Sequence, residues 1–109
     1  MIYVDHAATT RLSDRAFEAM LPWLKEEYGN PSQPYSFSRK PRKAIAGARE
    51  SIAACIGAQP EEIFFTSGGT ESDNWAIKGT ALSICREGAL LVSAFEHHAI
   101  LRVCEAIEA

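Results

Sequence analysis

Cysteine is scarce, positive charge is not in excess and no apolar run is long, and each shortage removes a class of function. Cys55, Cys85 and Cys104 are an odd set with no C-x-x-C pair, which speaks against a disulfide framework and a zinc knuckle. They read as reduced thiols. Lys and Arg total 11 against 14 for Asp and Glu, a net charge of -3, so there is no basic footprint for nucleic acid. The longest apolar stretch, Ala89 to Phe95, falls far short of the ~20 residues that cross a bilayer and reads instead as a buried strand. Met1-Ile2-Tyr3-Val4-Asp5 has neither the basic start nor the apolar middle of a secretory leader, so a cytoplasmic location without a membrane partner is expected.

What is present reads as one unit over residues 1–109, without repeat or linker. Ile2-Tyr3-Val4 is a short β-prone entry, followed by the polar loop Asp5 to Thr10. Ser13 and Asp14 begin a helix whose apolar row is Phe17, Met20, Leu21, Leu24 and Tyr28, with Pro22 expected to kink it. Gly29 to Ser36 concentrates turn formers. A second helix runs from about Ser38, tolerates Pro41 in its first turn and is capped by Gly57. Ile63 to Thr66 then reads as a strand, Ser67-Gly68-Gly69-Thr70 as a turn and Glu71 to about Arg86 as a helix. Ala89 to Ala94 follows as a strand, and a last helix opens at Glu96-His97-His98. The succession predicts an α/β fold with a parallel sheet and flanking helices. Ala109 closes a helix without a capping residue, as if the chain stopped mid-fold.

The turn at Ser67 to Thr70 places two residues without Cβ at a helix mouth, where unpaired N–H groups and the helix dipole favour an anion. A small phosphorylated ligand fits there; an ordinary strand-to-helix turn is the competing reading. Neither a Walker A loop nor a G-x-G-x-x-G fingerprint occurs. Thr70-x-x-Asp73 resembles a capping box. Carboxyl ends of parallel strands share one edge, so Glu96-His97-His98 is expected near the glycine turn. An imidazole there can stack on an aromatic ligand or exchange protons; two hydrophilic residues opening a helix is the alternative. No metal site is expected, because His97 and Cys104 are roughly 10.5 Å apart along one helix and no H-E-x-x-H occurs.

Tyr3-Val4-Asp5-His6-Ala7-Ala8-Thr9-Thr10, Gly29-Asn30-Pro31-Ser32, the block Thr66 to Gly79 and Glu96-His97-His98-Ala99 together resemble the N-terminal part of a cysteine desulfurase of the NifS/IscS type. That resemblance covers essentially the whole chain. It implies an incomplete portion of a fold-type I, class V aminotransferase-like enzyme that uses pyridoxal 5'-phosphate to release sulfur from L-cysteine as a persulfide, giving L-alanine. It further implies that Gly69 and Thr70 bind the cofactor phosphate and that His97 stacks on the pyridine ring and aids proton transfer. A homodimer and a sulfur-acceptor protein, with sulfur passed toward iron–sulfur clusters or other acceptors, are implied as partners. Departures fall in the loop: Gln33 to Ser38 lacks the family's histidine and glycine, Arg11 replaces a usual proline, and Pro41 a usual alanine.

Pyridoxal chemistry needs an imine-forming lysine and an acidic partner for the ring nitrogen. The resemblance puts both, with the persulfide cysteine, in later segments that nothing here matches, so the chain alone is expected to be inactive. Of four lysines, Lys25, Lys40 and Lys43 fall on outer helices, and Lys78 lies ~12 Å along its helix from Thr70 and reads as a solvated charge. The cysteines read as small buried hydrophobes. A non-catalytic phosphate-binding or subunit-docking unit, and another class V enzyme such as a selenocysteine lyase, remain alternative readings.

Overall fold

Ser13 starts the first helix as its residue type predicts: its Oγ accepts the Ala16 N–H at 3.2 Å, and Asp14 sits at the positive end. In the computed structural model, which describes residues 2–83 and 88–108, α1 spans Asp14–Lys25. The helix ends earlier than its apolar row suggested. Pro22 offers no N–H, and its carbonyl accepts the N–H groups of both Glu26 and Glu27, at 2.9 and 3.0 Å. That closes the last turn and leaves Tyr28 outside.

The chain resolves into two compact units, Met1–Ile63 and Phe64–Ala109. In the first, Tyr3 Oη donates to the carbonyls of Asp5 and Thr9, closing the Asp5 to Thr10 segment into a turn. The loop after α1 is pinned from the next helix, since the Arg42 guanidinium donates to the carbonyls of Pro31 and Gln33, each at 2.8 Å. Asn30 Oδ1 accepts the Ser32 N–H, an Asx turn. Gly29 is buried against Phe37, where a Cβ would come within 2.7 Å of the ring. A 3-10 turn at Ser36–Ser38 leads into α2, Arg39–Ile56, with Pro41 in its first turn and Gly57 at φ 69° as its left-handed cap. A second 3-10 turn, Pro60–Glu62, packs back on α2, where Arg49 Nε donates to the Ile63 carbonyl.

The second unit is a pair of packed helices, α3 at Gly69–Ser83 and α4 at His98–Glu108, joined through Ala81, Ala99 and Val103. The expected end of α3 near Arg86, and Cys85 with it, lie outside the described residues. The sequence pattern called for strands at Ile2-Tyr3-Val4, Ile63 to Thr66 and Ala89 to Ala94, yet the described residues contain helices and no strand. Ile63 is extended, at φ -96° and ψ 119°. A strand requires a neighbouring backbone to take its N–H and C=O groups; β-prone composition alone leaves such segments extended and unladdered. Phe64 and Leu91 are accordingly exposed.

Candidate functional site

The mouth of α3 is built by the turn before it. Gly68 supplies the first helical carbonyl, accepting the Ser72 N–H at 3.2 Å. Glu71 reaches back so that its carboxylate accepts from both the N–H and the hydroxyl of Ser67, each at 2.7 Å. Thr66 Oγ1 and Ser72 Oγ share a hydrogen bond across the turn. Glu71 therefore binds Ser67, the residue just before the Gly68 cap position, and Thr70 and Asp73 both lie inside the helix: α3 begins at Gly69, two residues earlier than its pattern suggested, with Glu71 in its third position. The Ser67 N–H, then its hydroxyl, hold Glu71 below the usual carboxylate range.

With Glu71 turned toward Ser67, the N–H groups of Gly69 and Thr70 in the first turn have no intrahelical partner. A Cβ built on Gly68 or Gly69 would meet nothing within 4 Å, and neither glycine has a positive φ. Neither packing nor backbone conformation in the described chain requires glycine there. The space above these amides is open to a ligand.

Thr70, Asn74 and Lys78 recur every four residues and so share one face of α3. Together with His97, His98 and Arg102 of α4 and its entry, they line a cavity of about 350 Å³. Asn74 Nδ2 donates to the Thr70 carbonyl at 2.9 Å, and Arg102 pairs with Glu105 at 2.7 Å. His97 caps α4, its Nδ1 accepting the Ala99 N–H at 3.2 Å. With Nδ1 accepting, Nε2 is the nitrogen left for other work.

Of the residues expected to act together, Thr70 and His97 line this one cavity; Gly69 lies beside Thr70 at the helix start and is not part of the lining. Asn74, Lys78 and Arg102 were not anticipated. The signal lies in the spacing 70, 74, 78 and in 98, 102: Lys78 is far from Thr70 along the axis but shares its face of the helix. A larger cavity of about 970 Å³ lies along the other side of the pair, lined by Leu82, Leu90, Val92, Leu101 and half-buried Cys104 among others. Cys55 is exposed on α2, contrary to the expectation of burial; Ala53, two residues before it and so on the opposite face, is the buried one. Among the described residues no group of three or more His, Cys, Asp or Glu side chains gathers as metal ligands would, and no helix is long and apolar enough to cross a membrane.

Residues 2–109 match the aminotransferase class-V family. The chain is 52% identical over 108 residues to a cysteine desulfurase IscS of Dictyoglomus turgidum, an alignment that takes 98% of this chain and 27% of that protein. It is 50% identical to a putative cysteine desulfurase IscS 1 of Bacillus subtilis, covering 98% of this chain and 28% of the relative. Among solved structures, a NifS-like protein superimposes with a TM-score of 0.89 at 36% identity, over 95% of this chain and 29% of the other. SspA in complex with cysteine also gives 0.89, at 41% identity, over 97% and 31%. The chain thus spans a little over a quarter of the length of the curated relatives it matches.

Proposed function

Because this chain belongs to the aminotransferase class-V family, we propose that it forms the phosphate- and ring-binding part of a pyridoxal 5'-phosphate-dependent cysteine desulfurase. The substrate is L-cysteine, and the products are L-alanine and a protein-bound persulfide. The observation that carries this reading is the shared cavity of Thr70 and His97, beside a helix mouth whose amides are uncommitted and whose glycines leave open space. Parallel strands in a fold-type I sheet, with a second copy of the chain beside the site and a sulfur-acceptor protein as partner, belong to the same reading, as does a cytoplasmic location.

When bound, pyridoxal phosphate supplies an electron sink that lowers the cost of breaking bonds at the amino acid's α-carbon. The Gly69 and Thr70 N–H groups, with the Thr70 hydroxyl, would hold its phosphate through hydrogen bonds strengthened by the phosphate's charge and by the α3 dipole. Glu71 assists indirectly: by accepting from Ser67 it keeps its own negative charge turned to the residue before the Gly68 cap position. His97 would offer its imidazole to the ring, with Nε2 left to bond elsewhere while Nδ1 stays engaged as the α4 cap.

Titrating the 15N-labelled chain with inorganic phosphate and with pyridoxal phosphate is expected to move the amide signals of Gly69 and Thr70 first, and the His97 ring signals with pyridoxal phosphate only. Unmoved signals at millimolar ligand would remove the reading. Shifts by both ligands without any response at His97 would favour a plain phosphate-binding unit. Relative alanine release from cysteine and selenocysteine by the whole protein separates a desulfurase from a selenocysteine lyase.

A further inference from the structure

We propose that Thr66 and Ser72 are positioning residues for the phosphate site: their paired hydroxyls hold the Gly68 carbonyl and thereby aim the Gly69 N–H out of the mouth of α3. This role rests on the phosphate reading above, and neither side chain lines the cavity that Thr70 and His97 share.

A peptide unit is planar and trans, so the direction of its C=O dictates the opposite direction of its N–H. The Gly68 carbonyl and the Gly69 N–H belong to one such unit. Neither glycine has a positive φ, and a Cβ built on either would meet nothing within 4 Å, so packing does not set the plane between them. Two glycines in succession leave it loose. Hydrogen bonds are what remain to hold it.

Three donors gather at the Gly68 carbonyl: the Ser72 N–H at 3.2 Å, the Thr66 hydroxyl at 3.2 Å and the Ser72 hydroxyl at 3.3 Å. The two hydroxyl oxygens are 2.7 Å from each other, and either can donate to its neighbour. Each carries one proton. When Ser72 donates to Thr66, the Thr66 proton is left for the carbonyl; when Thr66 donates to Ser72, the Ser72 proton is. Both arrangements deliver one hydroxyl proton to Gly68, in addition to the helical N–H bond. With the carbonyl drawn into the helix, the Gly69 N–H on the same plane faces outward, where an anion would meet it. Glu71 cannot replace this hold, because its bonds to Ser67 act on the peptide unit that joins Thr66 to Ser67.

The triangle is redundant by construction. Removing one hydroxyl leaves the other within 3.3 Å of the carbonyl and free of its former partner. Removing both leaves the Ser72 N–H alone.

The 15N,13C-labelled parent, Thr66→Val, Ser72→Ala and the double variant are titrated with inorganic phosphate, read at the Gly69 amide, and the Gly68 carbonyl-carbon shift is recorded without ligand. Each single variant is expected to stay within about two-fold of the parent affinity and the double variant to lose about five-fold or more, the worth of one net hydrogen bond. The Gly68 carbonyl shift, which responds to hydrogen bonding at that oxygen, should change chiefly in the double variant. Thr66→Ser combined with Ser72→Ala keeps one hydroxyl and should bind as Ser72→Ala does. Circular dichroism should show α3 intact throughout, since the Ser72 N–H bond survives every substitution. A double variant that binds phosphate as the parent does, a single variant that falls as far as the double, or a loss of α3 in the double variant, which would assign the hydroxyls to folding, overturns the proposal. A parent that gives no response to phosphate removes the phosphate reading instead, and the carbonyl shifts then still decide whether the hydroxyl pair holds the peptide.

Discussion

Gly69 separates a structural from a ligand-binding use of glycine more cleanly than any other residue here. Its φ is not positive and a Cβ would stand in open space, so Gly69→Ala relieves backbone entropy without strain. The variant is expected to match or exceed the parent in stability by up to about 1 kcal/mol in thermal unfolding, while its affinity for phosphate drops about ten-fold or more because the new methyl intrudes on the amides. Unchanged affinity would show that nothing approaches that backbone. Glu71 offers a second readout at the same turn. Its folded-state pKa is depressed, chiefly by the Ser67 N–H, so the stabilisation it provides is fully present above its unfolded pKa and is lost as pH falls through the folded value. An NMR titration of its side-chain carboxyl should give a midpoint below the ordinary carboxylate value. Ser67→Ala should raise that midpoint only part of the way, since the backbone donor remains; a full return would assign the effect to the hydroxyl instead. Thr70 and His97 could be picked out from the sequence because each sits in a short motif with its own chemistry. Lys78 could not be, because its place depends on how α3 faces α4.

Helices were legible and strands were not, for reasons of range. Ser13, Pro41 and Gly57 act on turns within a few residues of themselves, so the limits of α1 and α2 follow closely from local chemistry, apart from the end of α1 at Lys25, short of Tyr28. Residues 63–66 have the composition of a strand, but their partners would have to come from elsewhere, and the described residues do not supply a ladder. The pairing of α3 with α4 rests on small side chains, Ala81 and Ala99 with Val103, the last only 3% exposed. Val103 also floors the candidate cavity. Val103→Ala is therefore expected to cost about 1.5–3 kcal/mol, a large share of what two short helices can hold. Far-ultraviolet circular dichroism should show reduced helix content and a lower melting midpoint. A variant that melts like the parent would mean that α4 is held by something other than this contact.

Large apolar side chains stand in the open: Ile2, Leu91 and Phe95 are 90%, 100% and 93% exposed. Such surface is a normal feature of a face awaiting cover and an unusual one for a finished monomer. It agrees with a chain that spans a little over a quarter of its relatives' length. Heat capacity reports this directly, because the increment on unfolding is set by the apolar area that folding removes from water. A fully packed domain of this length would give at least about 1.3 kcal/mol/K. The isolated chain in dilute solution should fall below that figure in differential scanning calorimetry and should bind the apolar dye ANS before it unfolds. An increment at or above the packed-domain figure, with no dye bound, would mean that Leu91, Phe95 and their neighbours find cover in solution. If the increment then rose with protein concentration, the cover would be a second copy of the chain.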